Sequence, residues 1–155
     1  MRYRQSALRC LAKAPRCTLL STEGVAVELP VAARWNLLLF YPRDFSPVCT
    51  RQLCHYREQW HLLEHPEVLV FAISPDQTER HAEFQRRYGF PFPLLSDPER
   101  RCFRAYGMGG IFGVGRGVAL VDPRGELRYR WHSATGLRYP TAEQLRALLK
   151  RFGAV

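Results

Sequence analysis

The stretch WNLLLFYPRDFSPVC, from Trp35 to Cys49, constrains what this chain can fold into more than any other segment. Its first seven residues are almost uniformly apolar, as a strand covered on both faces must be. Pro42 ends the run because proline cannot donate to a sheet ladder. From Pro47 the apolar period lengthens: Leu53, Tyr56, Trp60 and Leu63 recur at spacings of three and four. That spacing predicts an amphipathic helix with proline in its first turn and Ser46 as its cap. A buried strand whose end leads through a loop into a helix is where open sheets gather their chemistry.

Downstream, EVLVFAIS (Glu67 to Ser74) predicts a second buried strand, followed by a helical stretch from Asp76 to Tyr88 that stops at Gly89. PFPLLSD is a short extended piece, Pro98 to Tyr106 a brief helix, and Gly107 to Gly117 a glycine-rich loop. Val118 to Asp122 and Glu126 to Trp131 flank the turn DPRG and predict a hairpin. A last helix runs from about Thr141 to Phe152, with Glu143 near its capping position. The pattern is α/β. The first strand-helix-strand unit should be parallel and the late hairpin antiparallel, so the sheet is mixed.

A 155-residue chain that is 46% hydrophobic buries a core without staples, which points to one domain. No apolar run reaches the ~18 residues of a membrane span. The net charge is +9, almost all from arginine, since Lys13 and Lys150 are the only lysines. Those arginines are spread along the whole chain without the clustering of a nucleic-acid reader, so no specific nucleic-acid partner is expected. The first acidic residue is Glu23. An unbroken basic start is one property of a transit peptide, but the simpler expectation is a short basic extension, residues 1–12, before a single domain at 13–155.

Cysteines stand at positions 10, 17, 49, 54 and 102, with no Cys-x-x-Cys and no zinc-ligand spacing. An odd, unpaired set fits a reducing, cytoplasmic setting in which one or two thiols do chemistry. Cys10, Cys17 and Cys102 read as packed residues. The histidines at 55, 61, 65, 81 and 132 sit apart, read as solvated helix surface, and suggest no metal site. The glycine loop precedes a strand instead of opening a helix, so it is no dinucleotide turn and reads as a connection that positions Arg116.

Cys49 falls in the first turn of the helix after the central strand. Unpaired backbone N–H groups and the positive end of the helix dipole favour thiolate there, and thiolate is the nucleophile. With Pro42, Ser46 and Cys49 filling the pattern Pro-x-x-x-Thr/Ser-x-x-Cys, the sequence resembles the peroxiredoxin family. The likeness covers roughly residues 13 to 152 and is greatest to the bacterioferritin comigratory protein, or peroxiredoxin Q, subfamily. APRCTLL and FAISPDQTERHAEFQRRYGFPFPLLSDPE support it. Ser46 in place of the commoner threonine, Gln52 for glutamate, Cys17 for phenylalanine and Val118 for a hydroxyl residue depart from the family pattern.

The resemblance implies a thioredoxin-like fold, a central mixed sheet flanked by helices, and a thiol peroxidase that needs no cofactor or metal. By the same resemblance Cys49 attacks the peroxide, Ser46 holds a peroxide oxygen, Pro42 covers the thiolate, and Arg116 stabilises thiolate and departing oxygen. Cys54 matches the subfamily's resolving cysteine. The implied partners are hydrogen peroxide or organic hydroperoxides and a dithiol reductant, thioredoxin before glutaredoxin. A resolving cysteine within the same chain suggests a monomer. The rival reading, a thiol-disulfide oxidoreductase acting on proteins, lacks the Cys-x-x-Cys such enzymes usually keep.

Overall fold

The computed structural model describes residues 12–110, 114–133 and 135–155. Seven strands form one mixed sheet: β1 Cys17–Leu20, β2 Ala26–Leu29, β3 Trp35–Phe40, β4 Val68–Ser74, β5 Leu94–Ser96, β6 Arg116–Val121 and β7 Leu127–Ser133. Their spatial order is β2-β1-β5-β4-β3-β6-β7. As expected from the strand-helix-strand reading, β3 pairs in parallel with β4, Trp35 opposite Val68. The hairpin partners β6 and β7 are antiparallel, and β6 also runs antiparallel to β3. The edge pair β1–β2 carries no clean alternation, with only one buried residue in each strand, and the sequence does not announce it. The described chain from Ala12 already joins the sheet end, through Ala14 N to Gly125 O and Leu127 N to Ala12 O. The basic residues 1–11 and Cys10 lie outside the described residues.

Helix α1 spans Pro47–Glu58, α2 Thr78–Tyr88, α3 Arg101–Ala105 and α4 Ala142–Arg151, with a 3-10 turn at Trp60–Leu62. α2 ends on Gly89, whose φ of 61° is left-handed and cheap only without a Cβ. At α4 the capping box is built by Thr141 with Gln144, not with Glu143, because the residue three positions into the helix is the one that reaches back to the cap.

Because strand side chains alternate, β3 feeds two separate cores. Leu37, Leu39 and Tyr41 pack with Cys49, Leu53 and Tyr56 of α1, Phe84 of α2 and Leu145 and Leu149 of α4. Leu38 and Phe40 face the other way, onto Cys102, Phe103 and Tyr106. Here one sequence reading is corrected. Cys17 and Cys102 are not merely packed residues: they form a disulfide that ties β1 to α3 across a sequence separation of 85. Nothing in their spacing signals this, since β1 and α3 meet only once the sheet has formed.

Candidate active site

The end of β3, the loop after it and the first turn of α1 place Cys49 beneath the sheet's C-terminal edge. Cys49 is buried and free, three positions into the helix. Ser46 occupies the N-cap position, yet its hydroxyl does not cap the helix. It donates instead to the Arg43 carbonyl at 3.0 Å, which turns it back along the loop. The expectation of Ser46 as cap therefore holds for backbone position and fails for the side chain. Backbone closure is made by Thr50 N to Ser46 O.

Arg116 opens β6, the strand beside β3, and its side chain crosses under the sheet to α1. It is almost wholly buried, and all three of its nitrogens are engaged. Nε donates to Gly136 O at 2.9 Å, one Nη donates to Gln52 Oε1, and the other donates to Cys49 Sγ at 3.2 Å. A buried guanidinium needs a compensating charge. Gln52 and the Gly136 carbonyl are neutral, so in this fork the cysteine is the partner able to supply it as thiolate. Arg43 and Arg51, nearer in sequence, are exposed.

Sequence reasoning did not give this arginine its supports. Gln52 lies one helical turn from Cys49 on the same buried face, and its amide donates to Tyr56 Oη at 3.1 Å. Tyr56 in turn donates to Pro140 O at 2.7 Å. The loop between β7 and α4 thus braces the site twice, through Pro140 and through Gly136. A Cβ on Gly136, whose φ is +67°, would stand 3.6 Å from Pro42 Cγ, so this loop also lies against Pro42. Behind Arg116, Gly117 has room for no side chain: a Cβ there would strike Met108 Sδ and come within 2.7 Å of Trp131 O. That close approach is one reason for glycine at the loop's end.

Cys54 is free and half-buried, one turn and a half further along α1, and packs against the same core as Cys49. Burial pushes its thiol up; Arg57 draws it down and Glu58 adds to the rise. The histidines also need correcting. His61 is exposed, as expected, but His81 is fully buried, and the half-buried His55 accepts the Ala142 N–H at 3.0 Å. In sequence, His81 looks like any polar residue on an amphipathic helix, and only the packing of α2 on the sheet shows otherwise.

A buried thiol at a helix start, bonded by a buried cation beside a sheet with this strand order, fits a thiol peroxidase on a thioredoxin-like fold. The comparisons agree. The AhpC/TSA family matches residues 11–130. A putative peroxiredoxin bcp from Coxiella burnetii is 34% identical over 128 residues, covering 77% of this chain and 85% of that one. Peroxiredoxin Bcp of Bacillus subtilis is 28% identical over 145 residues, covering 88% and 92%. Among solved structures, peroxiredoxin Q of Xylella fastidiosa shares the fold at a TM-score of 0.82 and 21% identity, over 96% of this chain and 99% of that one. The chain belongs to the AhpC/TSA family and is a thiol-dependent peroxidase of the Bcp and peroxiredoxin Q kind. Its substrates are hydroperoxides and it uses a thiol reductant. Among the described residues no helix is long and apolar enough to cross a membrane.

Proposed function

We propose that Cys49 is the peroxidatic cysteine, Cys54 the resolving cysteine, and Pro42, Ser46 and Arg116 the groups that receive and polarise the peroxide. The observation that carries this reading is the Arg116 N–H donated to Cys49 Sγ at 3.2 Å. The Cys49 thiolate attacks the terminal oxygen of ROOH, the O–O bond breaks, and the departing RO⁻ takes a proton to leave as ROH. Arg116 stabilises the charge that moves from sulfur to oxygen, which lowers the barrier because the donor is already in place. The Cys54 thiolate then attacks the Cys49 sulfenic sulfur, expels the hydroxide as water after protonation, and closes a disulfide. A dithiol, thioredoxin in this reading, reduces that bond and restores both thiols.

The sheet itself supports Cys54 as partner. Cys54 shares the core of Cys49, whereas Cys17 and Cys102 pack on the opposite face and already bond each other. We further propose that residues 13–155 act as one domain behind a basic extension, that the enzyme works as a monomer because both thiols lie on one helix, and that it works in the cytoplasm, where a dithiol pool can return them. The rival reading, exchange with protein disulfides, meets an obstacle in the burial of Cys49, which admits a small peroxide more easily than a polypeptide. Thioredoxin-coupled peroxide turnover by the wild type and by Cys49→Ser tests the proposal. Turnover should vanish in the variant, and turnover that persists would remove Cys49 from the role.

A further inference from the structure

The loop that bears Pro42 and Ser46 contains a strained residue and a buried carboxyl group. Phe45 has a φ of +63°, a left-handed conformation that a bulky side chain holds only when its surroundings impose it. Immediately before it, Asp44 is fully buried. One carboxylate oxygen accepts from Tyr41 Oη at 2.6 Å and the other faces His81 Nδ1 at 2.6 Å. The backbone of Asp44 is fixed as well, its N–H donating to Asp76 Oδ2 at 2.7 Å and its carbonyl accepting from Arg80 at 3.3 Å.

The protons on this cluster can be placed from its partners. His81 Nε2 lies 3.1 Å from the Leu95 carbonyl, which can only accept. Ser74 Oγ, 3.5 Å from the same nitrogen, has its one proton committed to Asp76 Oδ2 at 2.6 Å. Nε2 therefore donates, and the 2.6 Å contact between Nδ1 and Asp44 Oδ2 holds the proton that the two side chains share. Burial, and next the Asp44 charge, hold the Tyr41 phenol well above its ordinary range, so Tyr41 keeps its proton and donates it to Asp44. Asp44, Asp76 and His81 stand close enough to suggest a metal site, but these bonds within the cluster already use the atoms a cation would need.

We propose that Asp44 and His81 are positioning residues for peroxide reduction, a buried hydrogen-bonded pair that holds the strained loop carrying Pro42 and Ser46 into the turn before Cys49. The pair joins the loop to α2 and β5, elements that do not take part when α1 loosens for the Cys49–Cys54 bond. Release of Asp44 lets Phe45 leave its left-handed conformation and carries the Ser46 hydroxyl with it. A group displaced by about 1 Å from its reacting geometry costs on the order of 100-fold in rate. This rests on the proposed role of Cys49 and of the loop beside it.

The test is a double-mutant cycle on Asp44→Asn, His81→Gln and their combination. For each folded protein, stopped-flow gives the rate of Cys49 oxidation by hydrogen peroxide, and mass spectrometry the rate of Cys49 alkylation by iodoacetamide, which needs no aligned O–O bond. Each single variant should oxidise about 10- to 100-fold more slowly while alkylation changes less than about threefold. The double variant, in which neither partner of the contact is left unpaired, should be at least about fivefold faster than the product of the two single effects. Equal falls in both rates, or strictly multiplicative single effects, would overturn the proposal. Should either single variant not fold, Tyr41→Phe removes one bond to Asp44 and must show the same split, with its absence counting equally against the pair. If wild-type Cys49 itself resists peroxide, the assignment of Cys49 falls first and takes the pair's role with it; a normal wild type with unaffected variants overturns the pair alone.

Discussion

Replacing Arg116 by lysine keeps the charge and removes the geometry. The guanidinium serves three acceptors at once, Gly136 O at 2.9 Å, Gln52 Oε1, and Cys49 Sγ at 3.2 Å. One ammonium cannot reach all three from the shorter span of a lysine, whose donors radiate from a single atom. If the bond to Cys49 is the one forfeited, a charge-assisted hydrogen bond worth ~1.5–3 kcal/mol is lost where charge moves, about 10- to 150-fold in rate. Arg116→Ala also removes the cation and should cost about 10²- to 10³-fold, the scale of a deleted oxyanion donor. The assay is the second-order rate of peroxide consumption by reduced enzyme in stopped-flow, with circular dichroism to confirm folding. A lysine variant equal to wild type would mean that charge alone matters. An unchanged alanine variant would take Arg116 out of the reaction and return attention to Arg43 or Arg51.

Five residues of α-helix separate Cys49 from Cys54 by ~7.5 Å of rise and ~140° around the axis, beyond disulfide geometry. One equivalent of peroxide should therefore link tryptic peptides bearing these two cysteines and speed amide exchange over Pro47–Glu58; a link to Cys17 or Cys102 would contradict the reading. Because burial raises the Cys54 thiol, its thiolate is scarce near neutrality, and the rate of disulfide closure should climb nearly tenfold per pH unit from about 7 to 8. Glu58→Gln removes a charge that adds to that rise and should speed closure at a given pH, whereas a rate already flat below pH 8 would refute the argument. Replacing Cys17 and Cys102 together by alanine opens a link across a separation of 85, for which chain entropy gives up to about 4–5 kcal/mol, roughly 10 °C in Tm. The peroxide rate should stay within about twofold, since the pair lies across the sheet from Cys49, and a large fall would show that the two faces are coupled.

The elements around the site were legible because each carries a local signal. Trp35–Phe40 is a nearly unbroken apolar run, and Pro42, Ser46 and Cys49 lie within eight residues of one another, so neither needs tertiary information to be seen. Arg116 was found through family resemblance; its bond to Cys49 spans 67 positions, and no period or spacing encodes it. The opposite failures share one cause. Cys17 with Cys102, and Asp44 with His81, are pairs made by the stacking of distant elements, and each member taken alone looks like a residue of no consequence. Gln52 was noticed as a departure from the family, yet its use as an acceptor for Arg116 appears only when β6 is laid beside β3.

The alternation of β3, which sends Leu37 and Leu39 to one core and Leu38 and Phe40 to the other, makes the sheet an insulator between two sulfur circuits. Cys49 and Cys54 lie on one side as free thiols, and the bonded Cys17 and Cys102 lie on the other, with the sheet backbone between the two pairs. On the roles proposed for Cys49 and Cys54, peroxide turnover on one face of the sheet leaves the bonded pair on the other face untouched.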